Sequence, residues 1–100
     1  GHRFVLMLLY QTLGGKYWTK STNWMTNRNV CDGWYGIRCS PYNQVLQIDL
    51  SDNNLRGNLS TLTHLFGSAL PELLNLNLSR NQGLRAWQAL EAFVSSSSSS

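Results

Sequence analysis

Acid is scarce in this chain: five Asp and Glu stand against eight Lys and Arg in 100 residues, for a formal net charge of +3. The positive balance is scattered, with no run of like charge and no basic helix face, so it gives nucleic-acid binding little footing. A long apolar run is also missing. The longest, FVLMLLY from Phe4 to Tyr10, falls far short of the roughly 20 residues that cross a bilayer, so no membrane span is expected. Cysteine is limited to Cys31 and Cys39, and histidine to His2 and His64. Zinc takes about four ligands, and neither His stands at a spacing that completes a site, so no metal or other cofactor is expected. The chain has no phosphate loop, no G-x-S-x-G elbow and no H-E-x-x-H, and its carboxylates are dispersed, although Asp49 and Asp52 are near each other. An enzyme is not the expected reading.

What is there is a pattern written twice. VLQIDLSDNNL begins at Val45, and LLNLNLSRNQGL begins at Leu73, 28 residues later. In the first copy Val45, Ile48, Leu50 and Leu55 surround Asn53 with the spacing L-x-x-L-x-L-x-x-N-x-L. In the second, Leu73, Leu76, Leu78 and Asn81 keep the offsets, and Leu84 arrives one residue late after an inserted Gly83. Such spacing suits a short strand that turns alternate side chains inward and then bends sharply away. At the bend the backbone leaves its ladder partners, and an inward amide can satisfy both a donor and an acceptor. Asn53 and Asn81 are therefore expected to be buried and structural, and Asn54, one place along, to be tolerant of change. One copy cannot bury its own apolar face, so the two should stack.

Upstream, the run after Arg3 admits two readings: the tail of a cut signal peptide, or a short helix with Phe4, Leu6, Leu8, Leu9 and Leu13 on one face, ended by Gly14 and Gly15. The helix is preferred. From Lys16 to Ser40 the residues are aromatic, polar and turn-prone, which predicts an irregular segment pinned by Tyr17, Trp18, Trp24, Trp34 and Tyr35. Its two cysteines suit a short disulfide better than a metal or a catalytic thiol, because no base stands in a recognisable nucleophile context. A loop of this size would contribute roughly 2 to 3 kcal/mol in the chain-entropy model.

The doubled pattern resembles the leucine-rich repeat family. The preceding LLYQTLGGKYW, TNW and CDGWYGIRC resemble the N-terminal cap of extracellular leucine-rich repeat proteins of the plant type. The likeness covers roughly residues 4 to 85. It departs from that type where LRGNLS keeps Gly57 but has Ser60 in place of a proline, and where the second copy reads LRAWQALEAFV. The resemblance implies an α/β fold: a leucine-rich repeat solenoid with a cap over residues 1–44, holding a helix and the Cys31–Cys39 disulfide, then about two coils with short parallel strands and a helical end over residues 45–94. Residues 95–100 are poly-Ser and read as a linker or cut edge.

The resemblance also implies a non-enzymatic module that binds a protein or peptide, in a secreted or receptor-type protein at the cell surface or outside the cell. The alternatives are a purely structural cap, or a secreted enzyme domain elsewhere in a longer chain. With Ile48 and Leu50 inward, strand alternation turns Gln47, Asp49 and Ser51 outward, and Asn75, Asn77 and Ser79 at the same offsets. Asp52 and Arg80 should flank that ligand-binding patch. NLS occurs at Asn58 and again at Asn77, and each fits the acceptor rule for N-glycosylation of secreted chains.

Overall fold

The structure is a computed structural model that describes residues 2–60 and 62–85. It mixes helix and strand. Helix α1 (His2–Thr12) leads to a single 3-10 turn at Gly15–Tyr17, followed by β1 (Ile37–Cys39), β2 (Val45–Asp49), β3 (Arg56–Asn58), α2 (Thr63–Ala69), β4 (Asn75–Asn77) and β5 (Gly83–Arg85). Strands β1, β2 and β4 form one sheet in that order, and β3 and β5 form a second.

Helix α1 buries Val5, Leu6 and Leu9, and Leu13 just beyond its end extends the stripe at helical spacing. Phe4, expected on that face, is instead 61% exposed, because the inner stripe is centred on Val5 and Leu9. Gly14 ends the helix in the left-handed region at φ 67°, the usual place for glycine after a helix. The carbonyl of Leu13 then accepts two bonds, from the Trp18 indole at 2.9 Å and from the Arg56 amide at 3.3 Å. One orphan acceptor of the helix end thus ties the N-terminal segment to β3.

Three buried tryptophans pack in series, and Tyr10 of α1 lies against two of them. Trp18 meets Trp24 edge-on with centroids 4.9 Å apart, and Trp24 meets Trp34 at 5.0 Å. Each indole N–H donates to a backbone carbonyl: Trp18 to Leu13, Trp24 to Tyr35, Trp34 to Arg28. That pairing is what permits such polar-tipped rings to be buried. Tyr17, expected among the pins, is 55% exposed, and Tyr35 is half-buried.

Cys31 and Cys39 are joined, with Cα atoms 5.6 Å apart. The segment they close is not irregular throughout. It ends in β1, which runs antiparallel to β2 with Arg38 opposite Gln47. The turn between them is held by Ser40, whose hydroxyl oxygen accepts from the Tyr42 and Gln44 amides, while Asn43 takes φ 64°. Gly36 fixes where β1 starts. Its φ is +81°, a Cβ there would run into the carbonyl oxygen of Asp49, and its own carbonyl accepts the Asp49 amide at 2.8 Å. Only glycine permits that approach.

The two copies of the pattern lie side by side. β2 and β4 are parallel, with Gln47, Ile48 and Asp49 opposite Asn75, Leu76 and Asn77, and the ladder continues through Leu50 N–H to Asn77 O and Asp52 N–H to Ser79 O, both 2.9 Å. Val45, Ile48, Leu50, Leu55, Leu73, Leu76, Leu78 and Leu84 are all buried. Across the core, β3 and β5 pair with Gly57 opposite Leu84, so Leu84 does not stand level with Leu55 as the late position had suggested. The longer connection between the copies carries α2, which touches α1. Leu84, which in the sequence recurs with Trp87, Leu90 and Phe93 or Val94 at near-helical spacing, belongs to β5; the rest of that segment and the poly-Ser run lie outside the described residues.

Asn53 and Asn81 are 2% and 6% exposed. Asn81 Oδ1 accepts from the amides of Asn53 and Leu55, both at 2.9 Å, and its Nδ2 donates to the carbonyls of Leu50, Leu78 and Ser79. Asn53 does the same towards the N-terminal segment, accepting from the Lys20 amide at 2.7 Å and donating to the Lys20 carbonyl at 2.8 Å. Asn54 is no bystander. It sits at φ 60° and its Nδ2 donates to the Tyr17 carbonyl at 3.0 Å. Asn81→Ala should cost about 3 kcal/mol, Asn53→Ala about 2 and Asn54→Ala about 1, from the backbone groups left unpaired and the left-handed conformation made costlier. Urea midpoints of the three variants check the order; equal midpoints would refute the bonding pattern.

Candidate functional site

The three-stranded sheet brings Gln47 and Asn75 level on adjacent strands, and Asp49 level with Asn77. Gln47, Asp49, Ser51, Asn77 and Ser79 are half-buried, and Asn75 is exposed. Much of their hydrogen-bonding capacity is already used. Asp49 Oδ1 accepts the Ser51 amide at 3.1 Å and its hydroxyl at 2.8 Å; Asn77 Oδ1 accepts the Ser79 amide at 3.1 Å and its hydroxyl at 2.7 Å. The same local turn is thus built twice, by DLS and by NLS, at the point where each strand ends.

Asp52 and Arg80 also repeat each other, at φ 50° and 57°. They line a separate depression of about 340 Å³ with Thr19, Asn54, Asn81, Gln82 and Gly83, at the edge where the buried asparagines turn the chain. Gln47, Asp49 and Ser51 instead share a shallow depression of about 350 Å³ with Tyr35, Gly36, Ile37 and Arg38. Of the eight proposed contact residues, Gln47, Asp49 and Ser51 thus line one depression and Asp52 and Arg80 the other.

Arg38 was missed by the sequence reading. It is exposed on β1 directly across from Gln47, and it brings a cation to a face otherwise made of short polar side chains. The signal for it was the alternation in GIRCS after the turn-prone residues, which is too short to stand out without a partner strand. The face can donate and accept hydrogen bonds through Arg38, Gln47 and Asn75, and the walls of its depression offer mostly polar groups. Among the described residues, no group of three His, Cys, Asp or Glu could hold a metal ion, and no helix is long and apolar enough to cross a membrane.

The chain is similar to a probable leucine-rich repeat receptor-like protein kinase of Arabidopsis thaliana, with 35% identity over 74 residues. That likeness supports a leucine-rich repeat relationship. The match takes in 74% of this chain and 7% of the relative, and the matched stretch is not the relative's kinase domain. The chain thus spans a small part of the length of the leucine-rich repeat protein it matches. No family model matches it.

The repeated turn yields a direct test. Asp49→Asn should leave stability within about 0.5 kcal/mol of the parent, because Asn77 already does the same work in the second copy, whereas Asp49→Ala should cost about 1 kcal/mol through the Ser51 bonds. Thermal midpoints decide; equal losses in both variants would mean that the carboxylate charge, not the acceptor oxygen, matters.

Proposed function

We propose that this chain is the N-terminal cap and first two coils of an extracellular leucine-rich repeat solenoid, acting without catalysis as a recognition module for a protein or an extended peptide. The observation that carries this reading is the sheet face itself. Arg38, Gln47 and Asn75 come from three strands in register and present charge and amides on a shallow surface. A surface of this kind suits hydrogen bonding to a protein loop or an extended backbone, and it lacks the enclosed apolar walls of a small-molecule site. The receptor-type relative favours a cell-surface setting, in which a disulfide is stable. A purely structural cap is the second reading, favoured by the internal bonds of Asp49 with Ser51 and Asn77 with Ser79.

Combining Arg38→Ala, Gln47→Ala and Asn75→Ala in the full-length protein should weaken its protein partner at least about tenfold if these groups are central contacts. Unchanged affinity with an unchanged thermal midpoint would assign this segment to the structural reading.

The two glycosylation sequons differ in their surroundings. Asn58 is exposed at the end of β3, where its Oδ1 accepts the Ser60 amide at 2.8 Å. Asn77 is half-buried within β4 and engaged with Ser79. In protein secreted from eukaryotic cells, peptide mapping should find glycan on Asn58 and little on Asn77. Full occupancy of Asn77 in folded material would reverse that assignment and weigh against a ligand on the sheet face.

A further inference from the structure

The second sheet, β3 with β5, carries a set of cations for which neither the core nor the proposed recognition face has a use. Its inner side is apolar: Leu84 is buried, and Gly57 lies against Thr12 and Leu13. Its outer side presents Arg56, Asn58 and Arg85, all exposed, with Asn58 level with Arg85 on the neighbouring strand. The N-terminal segment adds Lys16 and Tyr17 beside them. Lys16 Nζ stands 5.0 Å from the Tyr17 ring centroid and Arg56 Cζ 5.7 Å, so two cations share one exposed ring.

Arg56 is held in place. Its amide donates to Leu13, and its stem runs between two glycines: a Cβ at Gly83 would stand 2.9 Å from Arg56 Cβ, and one at Gly14 3.3 Å from its Cγ. Among the described residues, none of the three cations has a carboxylate partner. Among the described residues the one ion pair is Arg28–Asp32, while Asp49 lies on the other sheet, Asp52 lies beside Arg80, and Glu72 lies near His2. Bringing like charges together without compensation costs free energy, which an anionic ligand would recover. Beside Lys16 the surface dips into a depression of about 230 Å³ lined by Tyr10, Gln11, Gly14, Gly15 and Lys16.

We infer that this outer face, centred on Lys16, Tyr17, Arg56 and Arg85, binds an acidic polysaccharide of the uronic-acid type. Arg56 and Arg85 offer planar forks to carboxylates, and Lys16 a point charge. The exposed ring of Tyr17 and the glycine-lined dip fit the apolar C–H faces of sugar rings, which a simple acidic peptide does not present.

The test uses protein made without glycosylation, so that Asn58 is bare, and measures binding of polygalacturonate at about 0.15 M salt. K16Q/R56Q should bind at least about fivefold more weakly than the parent, since each lost pairing at an exposed site is modest and two are removed. K20Q/R28Q, with the same change in net charge on other surfaces, should bind as the parent does, and the fully methyl-esterified polymer should not bind. Should K16Q/R56Q lose its fold, K16Q/R85Q replaces it, leaving the packed Arg56 intact. Absence of polygalacturonate binding by the parent, or an equal loss in K20Q/R28Q, would overturn the inference. Poly-glutamate binding as tightly as polygalacturonate would overturn the carbohydrate assignment in favour of an acidic protein partner.

Discussion

Buried amides reaching backwards along the chain hold the two copies of the pattern together. Asn81 closes the backbone of the copy that contains Asn53, and Asn53 closes the backbone at Lys20. A strand that ends in a sharp bend inside a protein leaves peptide groups with no ladder partner, each costing about 1 to 3 kcal/mol if left bare. Leucines at these places would bury well and bond nothing. The spacing of the whole repeat follows from that need, because the amide must fall on the inner side at the point where the strand stops. The parallel registers of β2 with β4 and of β3 with β5 are then the two sides of one stacked arrangement.

The N-terminal segment meets the same demand with different material. It has no pattern leucines, so it presents tryptophans to the interior and satisfies their indoles with carbonyls of its own turns. Its stability comes from ring packing and a covalent link between Cys31 and Cys39 where aliphatic layers are thin. Strand β1 gives the first sheet an antiparallel neighbour on its outer side. That strand covers the edge that the first copy would otherwise expose, and exposed edges invite unwanted pairing.

The inward leucines and the two asparagines could be read from the sequence because their spacing is a direct image of strand alternation followed by a bend. Other features were hidden for physical reasons. Lys20 contributes only its peptide groups to Asn53, so no side-chain pattern marks it. The left-handed conformations of Asp52, Asn54 and Arg80 depend on the path of the turn, not on residue type alone. Tyr17 looks like any core aromatic until the fold places Lys16 and Arg56 on its ring. On the sheet face, alternation identified which side chains turn outward but was blind to their local bonding, and it missed Arg38 because β1 has meaning only against β2. The shift of Leu84 to a place opposite Gly57 follows from pairing on the far side of the core, where the two copies are offset differently.

The backward reach of the asparagines gives the assembly a direction in time. Lys20 is already present when Asn53 is made, and Asn53 when Asn81 is made, so a chain emerging from the ribosome can close each bend against a template that precedes it. The order of synthesis thus matches the order of dependence, since each amide acts on peptide groups that precede it in the chain. A lesion at Lys20 or Asn53 would therefore propagate forward through later turns, whereas one at Asn81 would leave the earlier junction standing.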